Sequence, residues 1–447
     1  MPDKTDILIL GATGFTGGLI TRYLSTHPQR SHFTLAVGAR SLQKLQKLVQ
    51  DHTLPSSVKL VQVDVTKDEE IEAAVKSTRV VINVVGPYWH WGTPVVRACA
   101  RNGVKYVDLT GEPAWIRKII LEFDYLATKT GAVIVPSCGF DSIPSDLTVY
   151  LSNKTLKSAG TSPDGDFLAL GESTNVFRLR GGFSGGTVAS FLAAIEDTPH
   201  KEAVESRLPY VLSPFIGLCG SRPRFVYSLP VPGGETIKGG LFFMAPTNAQ
   251  LVRRTFGLLE LQTREDTSKE ARVARYGPKF HYEEFMATSG TLSAFTLTAA
   301  IVFGFGLMLI RPIRNIIKRL LPQPGEGPSD EEMQKGFFNV TNISKSASSP
   351  PLTVKSVFKG SGDPGYLLTA ILISESALCF ILPPASESAK IQNEEKDNLH
   401  ALTPLAHKGG ILTPMAAFGD ELIRRLEETG RFGFSSSVID ETGKKDF

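Results

Sequence analysis

The stretch Asp6-Ile-Leu-Ile-Leu-Gly11-Ala-Thr-Gly14-Phe-Thr-Gly17, close to the N-terminus, decides the fold. Asp6–Leu10 predicts a buried strand, and Thr16–Ser25 predicts a helix that starts directly after the glycines. In dinucleotide-binding domains such glycines permit the tight turn, the approach of the backbone to a pyrophosphate and the packing of the helix on the strand. The spacing G-x-x-G-x-x-G is weak evidence alone, but its position between strand and helix favours a nucleotide site over a glycine turn without a ligand.

Residues 1–150 continue with short apolar runs that alternate with amphipathic stretches. Strands that are apolar throughout and alternate strictly with helices indicate a parallel sheet covered on both faces. We therefore predict an α/β fold in which residues 1–150 form a doubly wound Rossmann domain. The predicted strands are Phe33–Val37, Val58–Val63, Val80–Val85, Val104–Leu109 and Ala132–Pro136, and the predicted helices are Ser41–Gln50, Asp68–Lys76, Thr93–Arg101 and Ala114–Thr130.

After residue 150 the pattern changes to strand-favouring segments rich in glycine. They predict an inserted α+β substrate domain with a mainly antiparallel sheet, formed by residues 151–285 and 351–400. Residues 322–350 are rich in Pro, Ser and Gly and are predicted to be a loop, and Thr413–Glu428 is predicted to be an amphipathic helix. The predicted strands of this part are Phe167–Leu170, Asn175–Leu179, Phe225–Leu229, Gly240–Phe243, Leu352–Lys359 and Tyr366–Ile373.

Composition limits the classes of function. The 447 residues carry a formal net charge of +3 and no long run of lysine or arginine, so nothing indicates nucleic-acid binding. The four cysteines lie far apart without a C-x-x-C pair, which argues against a metal site or a disulfide framework and favours a reducing, intracellular compartment. The polar start, Met1–Thr5, is not typical of a signal peptide.

The end of the second predicted strand indicates which cofactor is bound. A site that prefers NAD usually carries Asp or Glu there, which bonds the ribose hydroxyls. This chain has Arg40, followed by Ser41. A guanidinium can bind a 2′-phosphate through its fork of donors, so we predict NADP(H); the alternative is a surface arginine that caps the next helix.

Further cofactor contacts follow from position, because ligands of open α/β sheets lie at the carboxyl ends of the strands. Asp64 and Val65 follow the third strand and are expected beside the adenine, and Val85–Tyr88 follows the fourth and is expected to border the nicotinamide. The predicted cofactor-binding residues are Gly11, Thr13, Gly14, Phe15, Thr16, Gly17, Arg40, Ser41, Asp64, Val65, Val85, Gly86, Pro87 and Tyr88.

Three residues at the same edge are candidates for catalysis: Tyr88, Glu112 and Asp141. Each follows a predicted strand, and reduction of some substrates needs one proton donor beside the cofactor. Each also has a structural alternative. Glu112 is equally suited to the start of a helix, where a carboxylate is favoured by the helix dipole, and Asp141 to capping the helix that follows it.

Met286–Ile310 is a run of 25 residues without a charge, and Arg311, Arg314, Lys318 and Arg319 follow it closely. It is long enough to cross a hydrocarbon core, and its basic flank favours a cytoplasmic surface. A single crossing would separate parts of domains that lie on either side of the run. We therefore predict that residues 286–321 form an in-plane or shallow hairpin anchor. The alternatives are a buried core helix and a homodimer contact.

The chain resembles the saccharopine dehydrogenase-like oxidoreductases, a family that includes the trans-acting enoyl reductases of mycobacterial lipid synthesis. The resemblance implies a Rossmann domain, an inserted α/β substrate domain, and a C-terminal helix within 401–447 that returns to the first domain. The matching motifs occur in order over nearly the whole chain: Gly11–Gly17, Val85–His90 with Gly92 and Pro94, Tyr106–Pro113, Pro136–Asp146, Gly185–Ser190, Asp363–Tyr366 and Gly409–Gly419.

The resemblance also implies a function: an NADP(H)-dependent reductase of a lipid-like or enoyl substrate in lipid or glycolipid metabolism. The charge-free run is similar to the hydrophobic segment of eukaryotic members, some of which associate with lipid droplets or mitochondria. This implies an intracellular protein on a lipid-droplet, mitochondrial or ER surface, with its nucleotide domain facing the cytosol. Two alternatives stay open: a catalytically silent NADP-binding protein of lipid surfaces, and a soluble amino-acid dehydrogenase.

Overall fold

The computed structural model describes residues 4–162, 165–181, 192, 196–219, 223–320, 327–390 and 398–439. Within these residues the strands form two seven-stranded sheets. The first sheet is parallel throughout, in the order β13-β6-β5-β4-β1-β2-β3. Its strands are β1 (Thr5–Leu10), β2 (Leu35–Ala39), β3 (Lys59–Gln62), β4 (Thr78–Asn83), β5 (Lys105–Asp108), β6 (Val133–Val135) and β13 (Gly410–Ile411).

Both faces of the first sheet are buried, as β1 illustrates. Ile7 and Ile9 belong to one apolar cluster, whereas Leu8 and Leu10 belong to a second cluster on the opposite face. Because side chains alternate along a strand, a continuous apolar run fills two cores at once. The predicted doubly wound domain is confirmed. Its helices are α1 (Phe15–Ser25), α2 (Leu42–Asp51), α3 (Asp68–Lys76), α4 (Tyr88–Asn102), α5 (Pro113–Thr130) and α6 (Ile143–Ala159).

The second sheet has the order β14-β12-β11-β7-β10-β9-β8. Only β7 and β10 pair in parallel, so the predicted, mainly antiparallel sheet is confirmed. Helix α6 contacts β11, β12 and β14 and thereby joins the two sheets. The strands are β7 (Leu170–Arg180), β8 (Tyr227–Leu229), β9 (Ile237–Gly240), β10 (His281–Ala287), β11 (Phe337–Ser346), β12 (Thr353–Ser361) and β14 (Phe432–Ile439).

The remaining α-helices lie after β7 in the chain. Helices α10 and α11 follow one another directly and contain the charge-free run and its basic flank. The bounds are α7 (His200–Glu205), α8 (Ala245–Glu265), α9 (Lys269–Ala274), α10 (Thr291–Leu309), α11 (Arg311–Leu320), α12 (Asp330–Gln334), α13 (Thr369–Leu378), α14 (Pro404–Lys408), α15 (Pro414–Phe418) and α16 (Asp420–Glu428).

The strand predicted at Tyr366–Ile373 is wrong. A π-helical turn, Pro364–Leu368, leads into α13, and every residue of α13 is buried. A helix that is apolar on all sides shows no 3.6-residue periodicity, so a short apolar run does not distinguish it from a buried strand. Helix α13 lies within 351–400, the range predicted for the substrate domain, yet it contacts α1, β4 and β5 of the first sheet.

The loop predicted over residues 322–350 is also wrong in part, since α12 and β11 lie within it. β11 forms hydrogen-bonded ladders with both β7 and β12, so tertiary pairing overrides the local abundance of Ser and Gly. Residues 321–326 lie outside the described part of the chain, as does the predicted motif Gly185–Ser190.

Three further boundaries need correction. The strand predicted at Phe167–Leu170 is limited to an isolated bridge between Thr161 and Phe167, and β7 begins only at Leu170. The strand predicted at Gly240–Phe243 shares only Gly240 with the observed strand, β9, which covers Ile237–Gly240. The helix predicted at Thr413–Glu428 is broken at Gly419, whose φ of +53° is incompatible with a continuous helix.

The charge-free run is not a core helix. Met286 and Ala287 end β10, and α10 begins at Thr291. Only Ala294 and Thr298 of α10 are buried, although the helix is long and apolar enough by composition to cross a membrane. Large apolar side chains on the rest of the helix are therefore exposed, among them Phe303 at 68% and Leu309 at 69%.

Candidate functional site

The glycine loop at the carboxyl end of β1 is the first component of the site. Gly11 adopts a φ of +84°, which favours glycine, and its amide donates to the Gly38 carbonyl on β2 at 3.0 Å. Gly14 is the N-cap of α1 and contributes no side-chain cap to the helix. The first turn of α1 therefore presents backbone amides and the positive end of the helix dipole, which suit a phosphate.

The space around the glycines shows that the loop fits a pyrophosphate. A Cβ at Gly17 would lie 2.2 Å from the Gly11 carbonyl oxygen, so only glycine lets α1 pack this closely. A Cβ at Gly14 would meet only that same oxygen, at 3.4 Å. Packing of the protein thus explains Gly17 but not Gly14, and the open space beside Gly14 is what the approach of a pyrophosphate requires.

The other residues predicted in this loop lie around the same turn. Thr13 and Thr16 are partly exposed, while the ring of Phe15 packs edge-on against Tyr366, with ring centroids 5.4 Å apart. A Cβ at Gly327 would lie 2.5 Å from the Phe15 ring, so the chain after α11 passes directly over it. Phe15 thus holds the loop against neighbouring segments, and the two threonines remain accessible to a ligand.

Arg40 and Ser41 lie at the end of β2 and the start of α2. Arg40 is exposed and its guanidinium makes no hydrogen bond to a described residue. Ser41 is the N-cap of α2, and its hydroxyl accepts from the Lys44 amide at 3.3 Å. An unpaired guanidinium beside a helix N-terminus fits a 2′-phosphate.

Asp64 and Val65 follow β3. One carboxylate oxygen of Asp64 accepts from the amide and the hydroxyl of Thr66 at 2.9 and 2.8 Å. These hydrogen bonds are the main cause of a lowered pKa of Asp64, and the nearby charge of Arg40 lowers it further. Asp64 therefore lies close to Arg40 and is kept ionised, whereas Val65 is buried.

Glu112 binds the start of α4, which the sequence did not indicate. Its two carboxylate oxygens accept from the amides of Tyr88 and Trp89, each at 2.8 Å. Burial raises the pKa of Glu112, while these two hydrogen bonds oppose that rise. Glu112 directly precedes α5, but its carboxylate caps the N-terminus of α4. This contact fixes the loop Val85–Tyr88, which leads into α4.

Tyr88 is buried, and its hydroxyl is fully used by the backbone. It donates to the Asn83 carbonyl at 3.0 Å and accepts from the Leu109 amide at 3.1 Å. Burial and the nearby Asp108 raise the pKa of Tyr88 well above its usual value. Tyr88 therefore ties the ends of β4 and β5 together, while Gly86 and Pro87 before it stay at least partly exposed.

A buried polar network lies beneath this loop, and no motif in the sequence indicates it. The Asp108 carboxylate accepts from the Tyr106 hydroxyl at 2.8 Å and from the amides of Thr110 and Ser137, both at 2.9 Å. Asn83 donates to the Tyr106 hydroxyl and accepts from the Val85 amide. Burial raises the pKa of Asp108 to about 7. An acid at the end of a strand was the available signal, but its partner Ser137 follows β6, and the partner of Tyr106, Asn83, ends β4.

Asp141 differs from the other two catalytic candidates. It follows β6 and is exposed, and it makes no hydrogen bond to a described residue. Protein surrounds it closely enough that desolvation raises its pKa to about 6. The structure thus leaves Asp141 accessible, whereas Tyr88 and Glu112 are engaged in holding the loop.

The second domain packs a buried aromatic cluster against Phe140, the residue before Asp141. Phe140 contacts Phe338 and Phe177, with ring centroids 4.8 and 6.3 Å apart, and Phe177 stacks on Phe242 at 4.5 Å. All four rings are buried, so they form the apolar core next to Asp141. Met244, two residues after Phe242, is partly exposed, and its terminal methyl group would lie 3.6 Å from a Cβ at Gly111. Among the residues that the structure describes, no group of His, Cys, Asp and Glu could hold a metal ion.

Comparison with known proteins adds independent evidence on the family. Residues 7–135 match the model of the saccharopine dehydrogenase NADP binding domain. A relative from Mycobacterium tuberculosis, whose name places it among the trans-acting enoyl reductases, is 32% identical over 452 residues, covering 96% of this chain and 97% of the relative. A trans-acting enoyl reductase from Mycobacterium ulcerans is 31% identical over 445 residues, covering 95% and 96% of the two chains.

Among solved structures, apo saccharopine dehydrogenase (L-Glu forming) from Saccharomyces cerevisiae aligns with a TM-score of 0.48 and 13% identity, covering 97% of this chain and 100% of that one.

Proposed function

Because the chain belongs to the saccharopine dehydrogenase-like family and is an NADP-dependent oxidoreductase, we propose that it reduces an enoyl double bond of a lipid-like substrate in lipid or glycolipid metabolism. The observation that carries this proposal is the accessible carboxyl group of Asp141, which follows β6 at the carboxyl edge of the first sheet. One accessible acid at this edge suits a substrate that takes a single proton in addition to the hydride.

Reduction of a carbon–carbon double bond adds a hydride to one carbon and a proton to the other. NADPH supplies the hydride when it is bound. The amides of α1 and the glycine loop would hold its pyrophosphate, and Arg40 and Ser41 would hold its 2′-phosphate. Asp141 supplies the proton and is left as a carboxylate, which regains a proton from solvent because the side chain is exposed.

The pH dependence of the reaction follows from the raised pKa of Asp141. The protonated form, which donates, predominates below about pH 6 and is lost as the pH rises through that value. We expect kcat/KM for reduction of a medium-chain enoyl thioester to fall with rising pH above about 6. Asp141→Asn is expected to lower kcat by a factor of about 100 to 10,000 and to remove this pH dependence.

The matched control is Asp51→Asn, which alters an exposed aspartate on α2 and should leave both activity and pH profile unchanged. NADPH affinity serves as the second control, since Asp141→Asn should preserve it. If Asp141→Asn retains the wild-type rate and profile, Asp141 is not the proton donor. Stoichiometric NADPH binding without turnover of any enoyl substrate would favour a catalytically silent protein, for which the structural use of Tyr88 and Glu112 is the motivating observation.

We further propose that α10 and α11 bind the protein to the cytosolic surface of an intracellular membrane or lipid droplet. The large exposed side chains of α10 are apolar, and no acidic residue occurs between Glu284 and Glu326. One side chain of each helix fastens the segment to the rest of the protein. The Thr298 hydroxyl accepts from the Leu241 amide at 2.9 Å, and Arg314 pairs with Glu196 at 2.6 Å. This favours in-plane insertion over a crossing of the bilayer.

Flotation with vesicles of phosphatidylcholine and phosphatidylserine tests the anchor. We expect the full chain to float with the vesicles and Phe303→Asp to reduce the bound fraction several-fold, because a charge then enters the apolar layer. Leu121→Asp is the matched control, since Leu121 is equally exposed but lies on α5. A wild-type chain that stays in the soluble fraction would remove the anchor. If the wild-type chain then dimerises with rising concentration and Phe303→Asp does not, the exposed surface of α10 is a homodimer contact.

A further inference from the structure

The turn between α10 and α11 is fixed to the protein by a buried arginine. The Arg314 side chain is only 10% exposed; its Nε donates to Glu196 at 2.6 Å and its Nη1 donates to the Met308 carbonyl at 2.9 Å. One arginine therefore closes the turn on itself and fastens it to residue 196. A cavity of about 520 Å³ lies at this junction and is lined by Glu196, Leu309, Arg311, Arg314 and Asn315.

The residue after Glu196 contacts the cofactor edge. The Asp197 carboxylate lies 3.0 Å from Nε2 of His90, in the first turn of α4. His90 directly follows Trp89, whose amide is bound by Glu112 at the predicted nicotinamide loop. Consecutive Cα atoms lie about 3.8 Å apart, so the hairpin turn and the start of α4 are held on the same short stretch of backbone.

The same stretch continues along this edge of the first sheet. Glu205, at the end of α7, pairs with Arg117 near the start of α5 at 2.9 Å. Residues 196–205 therefore cross the N-terminal turns of both α4 and α5, which lie at the carboxyl ends of β4 and β5. The α10–α11 turn is thus linked to the carboxyl edge of the first sheet, where the candidate site lies.

The side chains exposed on both sides of this junction suit a membrane interface. Leu309, Ile310 and Ile316 are exposed on the hairpin at 69%, 48% and 60%, and Trp91 is exposed on α4 at 39%. Tryptophan is favoured at the boundary between headgroups and acyl chains. Arg311 lines the cavity at the junction and supplies a positive charge for an anionic headgroup.

We infer that the first turn of α4 and the α10–α11 turn form one membrane-facing surface, so that the cofactor-edge cleft opens at the bilayer interface and takes an amphiphilic substrate directly from it. This inference rests on the proposed membrane association. The substrate class that fits is a lipid whose acyl chain remains among membrane lipids while its reactive, polar end enters the cleft.

Tryptophan fluorescence provides the test, because the three tryptophans of the chain are Trp89, Trp91 and Trp115. The full chain is mixed with phosphatidylcholine–phosphatidylserine vesicles whose acyl chains carry bromine, which quenches indoles at close range. We expect brominated vesicles to lower the emission by about a third relative to plain vesicles, since one exposed tryptophan of three reaches the interface. Trp91→Phe should remove most of this quenching without affecting flotation.

Flotation and quenching together distinguish the orientation of the cleft from membrane binding itself. A chain that floats with the vesicles but shows no quenching by bromine has its cleft facing away from the membrane, which overturns the inference and leaves the anchor intact. A chain that does not float overturns both. Glu196→Gln, which breaks the link to Arg314, should reduce the quenching at Trp91 while flotation persists.

Discussion

Gly17→Ala is expected to abolish NADPH binding and to destabilise the first domain. The new Cβ would lie 2.2 Å from the Gly11 carbonyl oxygen and 2.8 Å from the Ala12 Cα, which are both backbone atoms. Neither can rotate away, so α1 must move from the loop that it closes. Overpacking of this kind costs about 1–3 kcal/mol, and the shift removes the helix amides from the pyrophosphate.

Thermal unfolding and NADPH titration together measure this effect. Gly18→Ala is the matched control in the same helix, because its Cβ would have no neighbour closer than the His52 ring nitrogen at 3.5 Å. We expect Gly18→Ala to bind NADPH normally and to be slightly more stable, since alanine favours a helix over glycine by about 0.5–1 kcal/mol.

Gly14→Ala separates binding from folding at the same loop. Its Cβ would meet only the Gly11 oxygen at 3.4 Å, an ordinary contact, so the unfolding temperature should stay near that of the wild type. NADPH affinity should nevertheless fall at least about tenfold, because the methyl group occupies the space in which the pyrophosphate approaches the backbone. Wild-type affinity in Gly14→Ala would show that the glycine loop does not hold the pyrophosphate.

Arg40→Ala is expected to weaken NADPH binding by a factor of about 10 to 100 while NADH binding changes little. The guanidinium has no hydrogen-bond partner within the described part of the chain, so its removal breaks no internal hydrogen bond and loses only the attraction to Asp64. A charge-assisted hydrogen bond contributes about 1.5–3 kcal/mol, and only the phosphorylated cofactor forms it. Titration of both cofactors against the variant and the wild type measures the ratio.

Lys47→Ala is the charge-matched control for Arg40→Ala, because Lys47 is exposed on α2 beyond its first turn. It should leave the preference for NADPH intact. Equal losses for NADPH and NADH in Arg40→Ala would place Arg40 outside the 2′-phosphate site, and equal losses in both variants would indicate a diffuse effect of charge.

The nucleotide half of the molecule was predictable because its signals are local. The glycine loop, the apolar strand before it and Arg40 lie within 35 residues of one another. Each of these signals can be interpreted without knowing how the rest of the chain packs. Helix α13 was not predictable in the same way. Its residues are buried on every side, so the pattern that distinguishes helix from strand is absent.

The catalytic candidates show the same limit. Glu112 was placed correctly at the start of α5, but its carboxylate binds the start of α4, 24 residues earlier in the chain. The roles of Asp108 and Tyr106 likewise depend on partners from neighbouring strands. Sequence identifies polar residues that end strands, whereas only the assembled sheet edge distinguishes an engaged carboxylate from the accessible one at Asp141.

The central claim is that the first domain binds NADP(H) through the glycine loop and Arg40. The most direct test is titration of the purified full chain with NADPH and with NADH, in which protein fluorescence reports binding. We predict saturable binding of one NADPH per chain, with a dissociation constant at least about tenfold below that for NADH. Equal or tighter binding of NADH would contradict the role of Arg40, and no binding of either cofactor would contradict the account as a whole.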